Sequence, residues 1–299
     1  MKATEPAITD LPAADRSRFS VYSELFKARL NALVLLTTLV GFYMGTTGAV
    51  DYLLLLHTLL GTSLLAAGAA ALNEWLERDH DRLMRRTEDR PLPAGRIQPD
   101  QAMLLGGALA GTGLVYLALF VQPLTALLGA ITFIFYVCIY TPLKRVTSLN
   151  TVIGAIPGAL PPLMGWTAAH GEPTMHGWAL FAILFFWQLP HFLAIAWLYR
   201  EDYARAGFKM LPVIDPTGVR TGRQAISHTL GLVVISLFPF LYRMAGHWYL
   251  LSSLVLGLIF LGCAIRFARR LDRFSARTLF FVSIIYLPLL FAILVLNKI

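Results

Sequence analysis

Nine apolar segments, each about as long as a membrane-crossing helix, dominate this sequence of 299 residues. An α-helix needs about 20 predominantly apolar residues to cross the hydrocarbon core of a bilayer. The segments run approximately over residues 30–49, 52–75, 102–121, 123–143, 151–169, 176–199, 225–242, 247–265 and 278–297. Because little of the chain remains outside them, the sequence predicts an all-α, polytopic membrane protein with nine transmembrane helices.

The distribution of basic residues predicts the orientation of these helices. Cytoplasmic loops of membrane proteins carry an excess of Lys and Arg. If the N-terminus is cytoplasmic, all but two of the 25 basic residues fall on the cytoplasmic side, the exceptions being Arg243 and Lys298. We therefore expect the N-terminus inside and the C-terminus outside. The formal net charge of +8 follows from this topology, and no nucleic-acid motif accompanies it.

The beginning of the chain does not read as a targeting segment. Residues 1–20 contain three acidic side chains and lack an apolar stretch, which argues against a secretory signal and against a mitochondrial transit peptide. We expect this segment to be a cytoplasmic tail, followed by a single membrane domain over residues 21–299.

Two long cytoplasmic connections separate the spans, at residues 76–101 and 200–224. Each begins with a related pattern, WLERDHD at 75–81 and WLYREDY at 197–203. The second pattern comes four spans after the first. The recurrence suggests an internal duplication, with one polar cap in each half of the chain.

A polar stripe in the first cap consists of Asn73, Glu77 and Asp81. Residues four apart share one face of a helix and lie about 6 Å apart along its axis. Three oxygen ligands on one face suit Mg²⁺, whose shell is usually completed by water and substrate phosphate oxygens. Clustered arginines follow, as expected for a metal–diphosphate site. Spacing alone leaves open that the acids only neutralise the arginines that set the topology.

The segment NEWLERDHDRLMRRTEDRPLPAG, residues 73–95, resembles the signature of the UbiA-type membrane prenyltransferases. The signature is Asn, an acid four residues on, Asp eight residues on, and then Met-x-Arg-Thr-x-x-Arg. Glu77 stands where Asp is more usual, and His80 stands where an apolar residue or Tyr is more usual, so we expect His80 to point away from the site. The resemblance implies nine helices around a central cavity with cytoplasmic helical caps, and Mg²⁺ held by Asn73, Glu77 and Asp81 as the catalytic metal ligands.

Further segments resemble the haem-farnesylating members of that family: residues 140–168, QLPHF at 188–192 and EDYARAGFKMLP at 201–212. The second cap has only Glu201 and Asp202, where quinone-type relatives carry a fuller acidic motif. The resemblance therefore implies transfer of the farnesyl group of farnesyl diphosphate to a vinyl group of protohaem IX (haem B). Water then adds, and the products are haem O and diphosphate.

The resemblance also implies roles for other residues. We expect contacts to the diphosphate from basic residues on the cytoplasmic side, namely Lys27, Arg29, Arg85, Arg86, Arg90, Lys144, Arg145, Arg205 and Lys209. We expect the cavity to be lined by Tyr140, Asn150, Pro161 and Trp187. The prolines of the fifth span, including Pro161, predict an irregular backbone there. His191 and His228 are candidate haem contacts, and an interhelical hydrogen bond is the alternative for His191.

Two other functions remain open from the sequence. A prenyltransferase that acts on 4-hydroxybenzoate or another quinone precursor would have the same first cap, although the reduced second cap argues against it. A transporter that uses the acids for ion coupling would place them near the membrane midplane, whereas these acids lie at one end of the spans. We expect a bacterial plasma (inner) membrane location, contact with the lipid bilayer, and delivery of product to a haem A synthase or terminal oxidase assembly.

Overall fold

The computed structural model describes residues 17–299, and no β-strand forms among these residues. The helices, in chain order, are α1 (Arg18–Leu25), α2 (Ala28–Gly45), α3 (Tyr52–Asp81), α4 (Pro99–Phe120), α5 (Pro123–Phe133), α6 (Thr141–Leu143), α7 (Asn150–His170), α8 (Met175–Leu198), α9 (Arg200–Arg205), α10 (Leu211–Ile214), α11 (Val219–Ile235), α12 (Phe238–Leu241), α13 (His247–Arg270) and α14 (Arg273–Leu296). A π-helical segment, Ile134–Tyr140, joins α5 to α6. Most of the predicted cytoplasmic tail lies outside the described residues.

Nine spans of the described chain are long and apolar enough to cross a membrane, which confirms the nine predicted ones. The second span is longer than predicted, because α3 has 30 residues and continues past residue 75 to Asp81. At a rise of about 1.5 Å per residue, α3 is about 45 Å long. A bilayer with its headgroups is about 40–45 Å thick. The last turns of α3, which carry the polar stripe, therefore reach the level of the headgroups.

The expectation of an irregular backbone in the fifth span is wrong, because α7 is one continuous helix with three internal prolines. Each proline removes one intrahelical hydrogen bond, and neighbouring groups can satisfy backbone atoms freed in this way. The prolines free the carbonyls of residues 153, 157 and 158. Gln188 of α8 adds a separate contact between the helices, because its Nε2 donates to the carbonyl oxygen of Ala155 at 2.8 Å. Pro161 is buried inside this helix. The dense packing around α7 keeps it regular.

The seventh predicted span is divided into α11 and α12, with Ser236 at the break. Pro239 lies in the first turn of α12, where a missing N–H is tolerated. The hydroxyl of Ser236 is within 2.9 Å of the Tyr286 hydroxyl, and its carbonyl oxygen accepts from the hydroxyl of Tyr249 at 2.9 Å. The Tyr249 hydroxyl thus supplies a hydrogen-bond partner for a backbone carbonyl at the break, as burial in an apolar environment requires.

The spans form two groups of four helices. The first group consists of α3, α4, α5 and α7, and the second consists of α8, α11, α13 and α14. The contact of α7 with α8 joins the groups, and α2 packs mainly on α7. Since α3 and α8 each begin a group and each end in a polar cap, the arrangement supports the duplication that the two WL patterns suggest.

The close approach of α2 to α7 depends on glycine. A Cβ atom on Gly165 would lie 1.9 Å from the carbonyl oxygen of Thr38, whereas one on Gly262 would meet open space. Overpacking of this kind costs about 1–3 kcal/mol. We expect Gly165→Ala to lower the thermal unfolding midpoint in detergent, and Gly262→Ala to leave it near that of the unaltered protein. Equal midpoints for all three proteins would contradict this account of the α2–α7 contact.

Candidate active site

The polar stripe occupies one face of α3 at its C-terminal end, as its spacing predicts. Asn73, Glu77 and Asp81 are 1%, 3% and 0% exposed. Buried carboxylates are costly unless they are paired with cations and hydrogen-bonded. Such nearly complete burial is therefore possible only with specific partners, which the neighbouring elements supply.

Each carboxylate of the stripe has a cation as its partner. Lys144 donates from Nζ to Oε1 of Glu77 at 2.7 Å, and Arg90 donates from Nη1 to Oδ2 of Asp81 at 2.6 Å. Burial alone would lower the pKa of Lys144, but the carboxylate of Glu77 raises it above its ordinary value. Asp81 likewise raises the pKa of Arg90 against the effect of burial. Both cations therefore remain charged beside the stripe.

Asn73 is held from two sides. Lys27 donates from Nζ to Oδ1 of Asn73, and Nδ2 of Asn73 donates to the hydroxyl of Thr141 at 2.9 Å. Lys27 lies between α1 and α2 with a φ of 49°, and left-handed backbone at a non-glycine residue costs about 1–3 kcal/mol. Burial, with Arg90 nearby, lowers the pKa of Lys27 to about 7. Lys27 keeps this strained backbone conformation while its side chain contacts the stripe, which indicates a functional position.

The π-helical segment brings two further groups to the stripe. Thr141, at the end of this segment, accepts from Asn73 and donates from its hydroxyl to the carbonyl oxygen of Tyr136 at 2.8 Å. Nζ of Lys144 lies 4.5 Å from the ring centroid of Tyr140, which is a cation–π contact. Segments of this type are rare in proteins and frequently occur at functional sites.

The oxygen atoms of the stripe fit a hard metal ion. Oδ1 of Asp81 is buried and has no hydrogen-bond partner among the described residues. A buried acceptor without a partner is unfavourable, and a bound cation would satisfy it. No group of three or more His, Cys, Asp or Glu in the described part of the chain is arranged around a metal position. The predicted ligand set does not need one, because it consists of two carboxylates and an amide.

The charges around the stripe balance one another. Three acidic and three basic side chains lie together here, and their charges cancel when all six are ionised: Glu74, Glu77, Asp81, Lys27, Arg90 and Lys144. A divalent ion alone would leave two excess positive charges in a buried place, which is costly. A diphosphate that enters with the ion would compensate them, and Mg²⁺ commonly binds proteins through one or two carboxylates together with substrate phosphates. The arrangement therefore suits joint binding of a metal ion and an anionic substrate.

Glu74 is a site residue that the sequence reasoning missed. It is fully buried beside the stripe, and its Oε1 accepts from the backbone N–H of Leu92 at 3.0 Å. This bond fixes the loop that follows α3 and thereby places Arg90. The signal was present, because an ionisable residue next to an apolar run is a functional candidate by default. Glu74 lies outside the four-residue spacing of Asn73, Glu77 and Asp81, so that spacing does not select it.

The second cap contacts the first through its aromatic side chains. The guanidinium of Arg86 lies 5.2 Å from the ring centroid of Tyr199 and 5.8 Å from that of Tyr203, and it donates to the Tyr203 hydroxyl at 3.2 Å. His80 stacks on Phe208, with ring centroids 5.5 Å apart. His80 therefore contacts the second cap, and not the three ligand atoms of the stripe.

The acids of the second cap remain separate from the stripe. Asp202 pairs with Arg205 within α9, and Glu201 is exposed. The cap is thus neutralised locally by a surface ion pair. Among the residues that the structure describes, the buried acids are the three at the end of α3 and the separate Asp215.

Only part of the predicted set of basic residues reaches the stripe. Three of them contact it: Lys27, Arg90 and Lys144. Six have other surroundings: Arg29, Arg85, Arg86, Arg145, Arg205 and Lys209. Arg145 donates to the carbonyl oxygen of Leu76 at 2.9 Å, and the side chains of Arg29 and Arg85 are exposed. These six residues lie at the same ends of the spans as the stripe, but their side chains do not contact its carboxylates.

The predicted cavity-lining residues lie in different environments. Asn150 donates from Nδ2 to the carbonyl oxygen of Lys209 at 3.2 Å, and the N–H of Lys209 donates to the carbonyl oxygen of Lys144 at 2.7 Å. Asn150 thus ties the beginning of α7 to the second cap and, through it, to Lys144. Tyr140 lies against Lys144, as described above, and Pro161 is enclosed within α7.

The predicted haem contact His191 lies where α8 packs against α14. Its Nδ1 is 2.7 Å from the hydroxyl of Ser283, and its ring stacks on those of Trp187 and Phe280 at centroid distances of 5.0 and 5.1 Å. Trp187 donates from Nε1 to the carbonyl oxygen of Ser283 at 2.7 Å. His228 is half-buried on α11 against an aromatic ring of α8.

Comparisons with known proteins agree with this geometry. The family model described as the UbiA prenyltransferase family matches residues 34–285. The chain is 46% identical over 286 residues to a protoheme IX farnesyltransferase of Solibacter usitatus, and the alignment covers 93% of this chain and 98% of that protein. It is 37% identical over 279 residues to the mitochondrial protoheme IX farnesyltransferase of Arabidopsis thaliana, covering 93% of this chain and 65% of that one.

Solved structures share the fold. A digeranylgeranylglyceryl phosphate synthase superimposes with a TM-score of 0.80 at 18% identity, covering 93% of this chain and 98% of that one. A UbiA homologue from Archaeoglobus fulgidus, bound to DMAPP and Mg²⁺, superimposes with a TM-score of 0.64 at 19% identity, covering 92% and 99%. At such identities the likeness is one of fold alone.

The pair formed by Glu77 and Lys144 can be tested by its effect on stability. We expect Lys144→Met to lower the free energy of unfolding by about 3–5 kcal/mol, because it leaves a buried carboxylate unpaired. Adding Glu77→Leu should restore most of that loss, because the buried charge is then removed as well. Arg205→Met, which breaks a surface pair, should cost about 1 kcal/mol or less. Denaturant unfolding in detergent measures all three, and equal losses for the single and double variants would contradict the pairing.

Proposed function

The chain belongs to the UbiA prenyltransferase family, and we propose that its site transfers the farnesyl group of farnesyl diphosphate to protohaem IX, giving haem O and diphosphate. The observation that carries the proposal is the buried stripe of Asn73, Glu77 and Asp81, with cations from three other segments around it. The names of relatives at 43–46% identity supply the two substrates, protohaem and a farnesyl donor.

Within this proposal, Asn73, Glu77 and Asp81 hold Mg²⁺. The unpartnered Oδ1 of Asp81 supports the assignment, as does the fold shared with a homologue that binds DMAPP and Mg²⁺. When bound, the ion supplies Lewis-acid stabilisation of the charge that develops on the departing diphosphate. The three residues orient their oxygens from one face of a single rigid helix, which keeps the ligand geometry fixed.

The surrounding cations bind the diphosphate in this proposal. An ammonium group has three N–H donors and a guanidinium has five. Lys144 uses one donor on Glu77, and Arg90 uses one on Asp81, so both retain donors for phosphate oxygens. Donors that are already in place when the bond breaks stabilise the leaving group without reorganisation. The same side chains thus neutralise the stripe before binding and the diphosphate during the reaction.

The bond changes need no protein nucleophile. The C–O bond between the farnesyl carbon and the diphosphate breaks, and the electron pair leaves with the diphosphate. A vinyl group of the porphyrin supplies the electrons for the new C–C bond. Water adds to the resulting cation and loses one proton. The clasp of Arg86 with Tyr199 and Tyr203 joins the two caps, and its role in this proposal is to keep bulk water from the allylic cation until the vinyl group has reacted.

Both caps face the cytoplasm in this proposal, in a bacterial plasma membrane. This orientation places all but two of the 25 basic residues on the cytoplasmic side. It also places the stripe on the cytoplasmic side of the membrane, where the water-soluble diphosphate would be released. A single domain, residues 21–299, carries the activity, and a haem A synthase or a terminal oxidase assembly uses the product.

The activity can be tested directly. Protein in nanodiscs, supplied with haem B, farnesyl diphosphate and Mg²⁺, should give a haem product that has gained a farnesyl group and a hydroxyl group by mass spectrometry. EDTA should abolish the product, because the stripe would then lose its metal ion. A parallel reaction offers 4-hydroxybenzoate as the acceptor. Prenylated 4-hydroxybenzoate without a haem product would overturn the choice of acceptor and keep the metal site.

The ligand assignment has a matched control on the same helix turn. We expect Asp81→Asn to lower turnover by about 100-fold or more, since it removes a charged ligand and weakens transition-state stabilisation. Asp79→Asn should retain normal turnover, because the Asp79 side chain is 65% exposed and points away from the stripe. Glu77→Asp should keep much of the activity, because the carboxylate remains. Equal turnover in Asp81→Asn and Asp79→Asn would remove Asp81 from the ligand set.

A further inference from the structure

A cleft of about 320 Å³ lies between the cytoplasmic ends of α8 and α14. Its α8 side includes Tyr199, and its α14 side includes Arg273, Arg277, Phe280 and Phe281. Neither arginine takes part in the stripe or in the clasp between the caps. The cleft therefore combines two cations with aromatic walls outside the part of the site described so far.

The two arginines are placed unfavourably for their own helix. Arg273 and Arg277 lie one turn apart at the beginning of α14, so two like charges share one face at the positive end of a helix dipole. No salt bridge among the described residues includes either of them. Two uncommitted guanidinium groups on one face match a ligand that carries two carboxylates.

The aromatic residues extend the cleft toward the membrane interior. Phe281 is exposed and Phe280 is half-buried, and the ring of Phe280 stacks on that of His191. The hydrogen bond of Nδ1 with Ser283 orients the imidazole, and its Nε2 has no hydrogen bond among the described residues. Phe280 and Phe281 thus give the cleft an aromatic wall that favours a flat apolar ligand.

Tyr199 connects the cleft to the candidate active site. Its ring lines the cleft and also carries the guanidinium of Arg86, at 5.2 Å from the ring centroid. Arg86 belongs to the loop that follows the stripe and supplies Arg90. One aromatic side chain thus contacts both the cleft and Arg86, which precedes Arg90 by four residues in the same loop.

We propose that this cleft binds the protohaem acceptor, with its two propionates on Arg273 and Arg277 and its macrocycle along Phe280 and Phe281. The inference rests on the proposed function, which supplies protohaem as the acceptor. Charge complementarity selects this occupant, because the ligand has two carboxylates at one edge and an extended apolar plane. Placed in this way, the macrocycle lies beside Tyr199, whose ring also contacts Arg86 of the first cap.

The test compares two double variants of the full-length protein in nanodiscs of neutral phosphatidylcholine. Arg273→Gln/Arg277→Gln removes the charges of the cleft. Arg269→Gln/Arg270→Gln removes two exposed charges at the end of α13 and is the matched control. Absorbance titration with ferric protohaem gives the Kd, and steady-state assays give the KM for haem and the KM for farnesyl diphosphate.

We expect the cleft variant to raise the Kd and the KM for haem by about tenfold or more, as the loss of charge-assisted hydrogen bonds to carboxylates implies. The KM for farnesyl diphosphate should stay within about twofold of normal, because the diphosphate groups are elsewhere. The control variant should match the unaltered protein in all three constants. The dimethyl ester of protohaem should bind the unaltered protein weakly, and the cleft variant should bind it no more weakly.

Three results would overturn the proposal, and they are distinguishable. If the unaltered protein makes haem product and the cleft variant has a normal KM for haem, only the cleft assignment fails. If the control variant loses haem affinity equally, the arginines act through general surface charge. If the unaltered protein neither binds haem nor modifies it, while still consuming farnesyl diphosphate with another acceptor, the proposed function fails together with the cleft.

Discussion

The pairing of buried charges at the C-terminal end of α3 is the interaction on which the rest of the site depends. Glu77 and Asp81 could not stay buried without Lys144 and Arg90, because an unpaired charge in this environment costs several kcal/mol. The partners come from separate segments, one after the π-helical segment and one in the loop beyond α3. The need to neutralise two carboxylates therefore fixes how the first cap, α3 and the junction of α5 with α7 meet.

This pairing also prepares the site for an anion. The cations that neutralise the stripe keep unused donors, so a diphosphate can bind without drawing new groups from the surface. Lys27 is held ready in a strained backbone conformation that the junction of α1 and α2 maintains. In the proposed function the metal ion and the diphosphate would enter this balanced set of charges together, and electrostatics would couple the two binding steps.

The two halves of the fold divide the work differently, although each begins with a helix that ends in a polar cap. The first cap buries its charges and forms the stripe. The second neutralises its acids locally, through Asp202 and Arg205, and contributes aromatic rings such as Tyr199 and Tyr203. In the proposed function, the charged centre serves the release of an anion, and the neighbouring cap supplies aromatic side chains. The proposed acceptor cleft lies beside the same rings, so both substrates would meet at the headgroup level.

The sequence by itself determined the nine spans and the face shared by Asn73, Glu77 and Asp81, because apolar length and helical spacing are local properties of the chain. It also predicted most of the signature loop through its resemblance to a family. Only the tertiary structure decided which of nine candidate basic residues reach the stripe, since Lys27 and Lys144 lie 46 and 67 positions from their partners. The same holds for the buried anchor at Glu74 and for the regular helix that α7 forms despite its prolines. These features depend on side chains from distant segments meeting in an apolar environment, where each buried polar group must find a partner.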